Sequence, residues 1–209
     1  RATYKYEVIT IVNNDKIAQL IREKGYKHIL IKDECKTGTD RITLALKKLN
    51  CDDKDIIINV QGDEPMVSSW MIDKVIDIKK KYPNHIVNAF SKINSYDDLQ
   101  SKSTIKVVVN KNNELLYASR SELPSEKGKL NLQQANKQVS IYGFNKIQLE
   151  KFMSTERGPL ERSEDIEILR FVENSLYPVK MVDLGNIKLH AVDYPSDIQK
   201  VESILNQSE

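Results

Sequence analysis

The chain reads as an α/β layered fold, and three observations predict it. Short runs rich in β-branched residues alternate with amphipathic helical repeats over the first 82 residues, in the order βαβαβα. The third of these runs, DIIINV at 55–60, is continuously apolar, as in strands covered on both faces of a parallel sheet. A length of 209 residues with 40% hydrophobic content suffices to bury one domain-sized core.

Each element has a local reason. YEVITIV (6–12) is β-branched and predicts a strand. Residues 15–25 place Ile17, Leu20 and Ile21 at helical spacing, and Gly25 suits the helix end. KHILIK (27–32) predicts a second strand. Residues 39–50 predict an amphipathic helix with Asp40 near its start and Lys47 and Lys48 near its end, which suits the dipole. After the strand at 55–60, residues 68–82 predict the next helix. Beyond residue 85 the order is less regular. Strands are predicted over 85–93, 104–110 and 139–144, with a turn at 112–116 and an exposed loop or hairpin over 125–138. ERSEDIEILRFVENSL (161–176) predicts the clearest helix. Two strands follow, at 177–183 and 186–193, and Pro195 marks the first turn of a last helix. No repeat, low-complexity tract or linker interrupts the chain, so 1–209 reads as a single domain.

Composition excludes several classes. Lys plus Arg is 32 and Asp plus Glu is 30, so the net charge of 32 − 30 = +2 carries no whole-chain case for nucleic-acid binding. Cys35 and Cys51 are too few for a disulfide framework, and no CxxC pair or histidine cluster points to zinc. Apolar runs stay short of membrane-spanning length and the first residues are not a signal peptide, so the expected location is the cytoplasm.

Chemistry concentrates after strands. Gln61-Gly62-Asp63-Glu64-Pro65 follows DIIINV, where open α/β sheets bind ligands. Gly62 permits a sharp turn or close ligand approach, and Asp63 is a hard oxygen donor suited to Mg²⁺ and its phosphates. The same residues also suit a plain turn with a capping carboxylate. Asp193-Tyr194-Pro195-Ser196-Asp197 repeats the pattern, with Asp193 either an N-cap or a second carboxylate converging on Asp63. Lys36-Thr37-Gly38-Thr39-Asp40-Arg41 is a capped helix start or an anion contact, and it lacks Walker A spacing. Arg120 is either a bidentate carboxylate clamp or a surface ion pair. No general base neighbours Cys35 or Cys51 in sequence, so both read as incidental thiols.

In combination these segments are more specific. TGTDRI (37–42), IIINVQGDEPM (56–66), IKVVVN (105–110), LLYASR (115–120), IYGF (141–144), PLERSEDIEILR (159–170) and HAVDYPSDIQKV (190–201) resemble, in this order, the 3-deoxy-manno-octulosonate cytidylyltransferases, or CMP-Kdo synthetases. The resemblance covers essentially the whole chain. It implies a nucleotide-diphospho-sugar-transferase-like, Rossmann-like layered mixed sheet flanked by helices, with a small dimerisation lobe at about 115–145. It also implies a cytoplasmic homodimer that converts CTP and Kdo to CMP-Kdo and pyrophosphate. The family's metal-binding aspartates fall on Asp63 and Asp193, expected to hold Mg²⁺. Its sugar contacts fall on Gln61, Arg120, Tyr142 and Glu167, and its nucleotide contacts on Arg41 and Thr39. Tyr142 also suits a strand core, and Glu167 an exposed helix face.

Three departures bear on the sugar. Gln138 replaces the family's sugar-contacting His, Ile168 replaces a Gln, and Ser101-Lys102-Ser103 replaces D-P-N. An 8-amino-Kdo or a sialic- or legionaminic-type acid therefore stands as an alternative acceptor. The family's basic phosphate loop is expected before Arg1, since RATYKYEVITIV resembles the end of the following helix and the next strand. Without that loop, the chain would read as a non-catalytic sugar- or nucleotide-binding relative.

Overall fold

The computed structural model describes residues 6–127 and 129–206. The expectation for residues 1–5, the end of a helix, lies outside them. The first unit is β1 (Thr10–Val12), α1 (Asp15–Glu23) and β2 (His28–Leu30), with the two strands parallel and in register from Thr10 opposite His28. Asn14 caps α1 by accepting from the Lys16 and Ile17 N–H groups. Thr37 and Asp40 form a reciprocal capping box at the start of α2 (Gly38–Leu46).

The main sheet has six strands and is mixed. Its order is β10 (Val179–Asp183), β4 (Ile86–Lys92), β9 (Asn136–Phe144), β5 (Lys106–Val109) and β6 (Leu115–Ser119), with β3 (Ile57–Val60) also paired to β9. Only β10 and β4 pair in parallel here; β3, β4 and β5 each run antiparallel to β9. This corrects the reading of DIIINV as a doubly covered parallel strand. β3 is antiparallel to its partner, and Val60 stays 37% exposed. Within the 115–145 segment, β6 and β9 belong to the main sheet, while the hairpin of β7 (Ser125–Glu126) and β8 (Lys129–Leu130) forms a sheet of its own.

Helices cover both faces. On one, α3 (Ser69–Lys81) presents Met71 and Val75 to Val87, Ala89, Val139 and Ile141. On the other, Leu149 and Phe152 of α5 (Lys146–Ser154) and Leu169 and Phe171 of α7 (Leu169–Glu173) pack on Ile86, Phe90, Phe144 and Met181. Each large apolar side chain buried there stabilises the fold by about 1.5–3 kcal/mol. A short helix, α4 (Tyr96–Gln100), and the last helix, α8 (Pro195–Asn206), lie at the margins.

Two other expectations fail for physical reasons. The helix expected over 161–176 is broken. α6 (Pro159–Glu164) ends at Asp165, which adopts φ 52°, and α7 starts only at Leu169. The apolar residues that predict one helix, Ile166, Ile168, Leu169 and Phe171, all lie after α6 and reach the core from the turn and α7, whereas the only side chain α6 buries is Glu161. The start of α6 is capped from a distance by Glu173, which accepts from the Leu160 and Glu161 N–H groups. A Cβ on Gly158 would lie 2.2 Å from that carboxylate carbon, so a larger residue there would push the Glu173 carboxylate out of its capping position. Residues 186–193 form no strand. Their apolar Ile187 and Leu189 pack into the α3-side core, and their main chain is held by individual bonds rather than a ladder.

Candidate active site

A cavity of about 280 Å³ opens beyond the end of β3. Its walls come from the α2 approach (Lys36, Thr37, Gly38), the turn after β3, strand β9, the α6–α7 break and the 189–193 loop. Gln61, Asp63, Arg120, Gln138, Tyr142, Glu167 and Asp193 all line it. Thr39 and Arg41 do not.

Glu167 joins three of these segments. The αL residue Asp165 turns the chain so that the Glu167 Oε1 accepts from Gln61 Nε2 at 3.1 Å and Oε2 from the Thr39 N–H at 3.1 Å. Burial pushes its carboxyl up, and the Thr39 N–H opposes this. Thr39 thus reaches the site through its main chain. Arg41 lies off the cavity beside Cys35, whose thiol burial pushes up while the Arg41 charge opposes. Tyr142 is 3% exposed, its ring stacked on Phe144 at 5.8 Å, and burial with the nearby Glu167 charge holds its phenol well above the ordinary range.

A bulge in β9 docks the QGDE turn. Asn88 pairs with Tyr142 but Ala89 pairs with Val139, which leaves Ser140 and Ile141 as extra residues. The Ser140 carbonyl accepts from the Gln61 N–H at 3.1 Å, and the Ser140 N–H donates to Glu64 Oε1 at 3.1 Å. Gly62 has an ordinary φ and open space around it, so the turn itself does not demand glycine; ligand approach is the remaining reason for it.

The Asp63 and Asp193 carboxylates converge, although only Asp63 follows a strand. The Val192 N–H donates to the Asp63 carbonyl at 2.8 Å, which seats the 189–193 loop against the turn. Lys137 Nζ holds the Leu189 carbonyl at 2.8 Å, and Asp197 accepts from the Asp193 and Tyr194 N–H groups. The Tyr194 N–H, then His190, hold the Asp197 carboxyl down at about 2. Burial raises the Asp63 carboxyl, and the Asp193 charge adds to it. Asp63 Oδ1 is buried without a hydrogen-bond partner among the described residues. A hard cation shared with Asp193 would satisfy that oxygen, so these residues fit Mg²⁺, which is commonly held by one or two carboxylates plus substrate phosphates.

Arg120 is not a surface ion pair. Its guanidinium donates to the main-chain carbonyls of Glu164 (2.8 Å), Lys102 (2.9 Å) and Asp165 (3.1 Å). Three of its five N–H groups are used, which leaves two for a ligand. The buried Lys106 ammonium clamps the Arg120, Ser101 and Thr104 carbonyls. Glu164 accepts from the Arg120 N–H, the Ser119 hydroxyl and the Tyr117 hydroxyl. Burial alone would raise its carboxyl, but these donors and the Arg120 charge outweigh it and hold the group below 4.5. A depressed native pKa adds stability that is present above pH 4.5 and lost as pH falls through the native value. The urea midpoint of wild type is therefore expected to fall more between about pH 6 and about pH 3.5 than that of Glu164→Gln. Equal falls would contradict the assignment.

Sequence reasoning did not single out Glu64, Asn88, Lys106, Lys137, Glu164 or Asp197 as site residues. Glu64, Asp197, Lys106 and Glu164 fall within QGDEP, DYPSD, IKVVVN and PLERSEDIEILR, and that is the available signal. The others act through contacts with distant segments.

Residues 5–182 match the family model described as Cytidylyltransferase. A 3-deoxy-manno-octulosonate cytidylyltransferase from a Nitratiruptor species is 30% identical over 207 residues, 97% of this chain and 85% of the relative. The chain belongs to the 3-deoxy-manno-octulosonate cytidylyltransferase family. A second family member, from Thermodesulfovibrio yellowstonii, is 33% identical over 210 residues, 96% of this chain and 82% of its own. The solved CMP:2-keto-3-deoxy-manno-octonic acid synthetase in complex with CTP superposes with a TM-score of 0.85 at 26% identity, over all of this chain and 84% of that one. An inositol-1-phosphate CTP transferase from T. maritima, at 16% identity and a TM-score of 0.62 over 95% of this chain and 74% of that one, shares the nucleotidyltransferase fold. Against the family pattern, Ile168 is fully buried in the α5–α7 core and does not line the cavity, so that departure changes packing rather than the cavity wall.

Proposed function

We propose that the cavity joins CTP to Kdo, releasing pyrophosphate and forming CMP-Kdo. The observation that carries the reading is the Asp63–Asp193 pair facing the cavity, with Asp63 Oδ1 buried and unpartnered, in a chain of this family. Asp63 and Asp193 would hold Mg²⁺ against the triphosphate. When bound, the ion would offset charge on the phosphate oxygens as pyrophosphate leaves and lower the pKa of the attacking sugar hydroxyl. The two free N–H groups of Arg120 suit the sugar-acid carboxylate. Gln61, Tyr142, Gln138 and Glu167 order the hydroxyls. Fixed orientation of this kind supplies much of the rate in a displacement that needs no side-chain base.

Arg41 and Thr39 would act on the nucleotide side from outside the cavity wall. The enzyme works in the cytoplasm, where CTP is supplied. It forms a homodimer through the β6–β9 region, where Leu116 is 55% exposed. Among the described residues no helix is long and apolar enough to cross a membrane.

The test is pyrophosphate release by the full-length protein with CTP, Mg²⁺ and a panel of sugar acids. Kdo is expected to be turned over, and EDTA is expected to stop it. Turnover that survives EDTA would overturn the metal reading. Robust turnover of sialic acid but not Kdo would overturn the acceptor.

A further inference from the structure

The amide of Gln138 is oriented by a neighbour outside the cavity. Asn88 is completely buried on β4, at the point where the bulge shifts the β4–β9 register. Its Nδ2 donates to the Val139 carbonyl at 3.0 Å and to the Ile141 carbonyl at 3.0 Å. These carbonyls belong to the residue that precedes the bulge and to the second of its extra residues, so Asn88 binds main-chain acceptors at the irregular point of the ladder. Carbonyls only accept, so both Nδ2 hydrogens are committed and the Asn88 amide cannot be flipped without leaving buried acceptors unpaired. Only Oδ1 then faces Gln138, and Gln138 Nε2 donates to it at 2.9 Å. The Gln138 amide is fixed in turn. Its main-chain N–H is already held by the Ile105 carbonyl. Its Oε1 bonds no described residue and is not among the buried polar atoms lacking a partner, so it retains access to solvent, and Gln138 lines the cavity.

We propose that Asn88 is a positioning residue that makes Gln138 Oε1 a fixed neutral acceptor in the sugar wall. The pair then selects sugar acids that bring an O–H or N–H donor to that point. An unconstrained glutamine would turn either end of its amide to the ligand and discriminate little. Here the bulge sets Asn88, Asn88 sets Gln138, and reversing the outer amide would place two oxygens against each other. A ligand lacking the donor leaves a partly buried oxygen unpaired, which a site built on hydrogen bonding penalises more than lost apolar contact.

The inference rests on the sugar-acid reading of the cavity. It is tested with the full-length protein, Kdo and a set of Kdo analogues each lacking one hydroxyl. Both the KM for the sugar acid in turnover and its Kd by calorimetry are measured. Wild type is expected to bind one analogue about 10-fold or more weaker than Kdo, and the others nearly as well. In Asn88→Ala that gap is expected to collapse to within about 2-fold, with the effect on the KM for the sugar acid and not on the KM for CTP. Gln138→Leu leaves the Asn88 bonds to β9 in place, so it carries the same expectation should Asn88→Ala fail to fold. The double variant is expected to add nothing to the larger single effect, because the two residues act as one unit. A gap that persists in either folded variant overturns the inference, as does a wild type that shows no gap. Sugar-acid binding without pyrophosphate release would overturn the proposed reaction alone. Absence of binding by every sugar acid overturns both.

Discussion

Replacing Asp63 by alanine is expected to lower pyrophosphate release at least about 100-fold, because even residues behind metal ligands cost about 10–100-fold when lost. The fold should survive. Asp63 Oδ1 has no hydrogen-bond partner among the described residues to lose, and the bond that seats the 189–193 loop uses the Asp63 carbonyl rather than its side chain. Removing a buried carboxylate that faces Asp193 also relieves a like-charge cost. The thermal midpoint of Asp63→Ala is therefore expected to equal or slightly exceed that of wild type. Mn²⁺ binding followed by electron paramagnetic resonance gives a readout independent of turnover and should weaken in the same variant. A sharply lowered midpoint, or undiminished Mn²⁺ binding, would show that Asp63 is structural.

The largest effect on stability is expected at Arg170. Its side chain is 3% exposed and binds the fully buried Glu161 in two places, at 2.7 and 2.6 Å. It also reaches Asp40 at 3.2 Å and lies 3.7 Å over the Phe152 ring. Without Arg170 the buried Glu161 keeps only Arg157, at 3.2 Å, among the described residues. Breaking a buried ion pair costs about 3–5 kcal/mol when the remaining charge is left uncompensated, so the loss is expected toward the lower end of that range. That is a large share of the roughly 5–15 kcal/mol that holds a domain together. Arg170→Met keeps the length and apolar contact but not the charge, and urea unfolding should show the loss. Removing both charges in Arg170→Met/Glu161→Leu should recover part of it, since a well-packed apolar pair often matches a buried ion pair. A loss below about 1 kcal/mol in the single variant would contradict this account. The site would feel the change as well. Asp40 belongs to the capping box of α2, and the same helix start presents the Thr39 N–H to Glu167.

Much of the fold was legible because period and capping are local. The helix at Ser69–Lys81 and the strands at Ile86–Lys92 and Lys106–Val109 fall where their apolar spacing places them. The failures share one cause. Apolar residues over 161–176 and 186–193 report which face meets the core, and a broken helix or an irregular segment can bury the same face. Nothing in ERSEDIEILR marks Asp165 as the residue that reverses the chain, and an aspartate in αL is rare enough that spacing alone gives no warning. α5 and α4 were not anticipated; both are short, and the α5 face is only partly apolar.

The site divides in the same way. The residue types and their order along the chain pointed to Asp63, Asp193, Gln61, Arg120, Gln138, Tyr142 and Glu167, and with them to the cytidylyltransferase family. Those are properties of short segments: a glycine and carboxylate after an apolar strand, a proline-marked helix start, an arginine at a strand end. Folding alone decided that the segments meet. Glu167 bonds Thr39 across 128 positions of chain and Gln61 across 106, and Asn88 orients Gln138 from 50 positions away. Hydrogen bonds act over about 3 Å, and the pattern of a segment carries no record of what lies that close to it once the chain has packed.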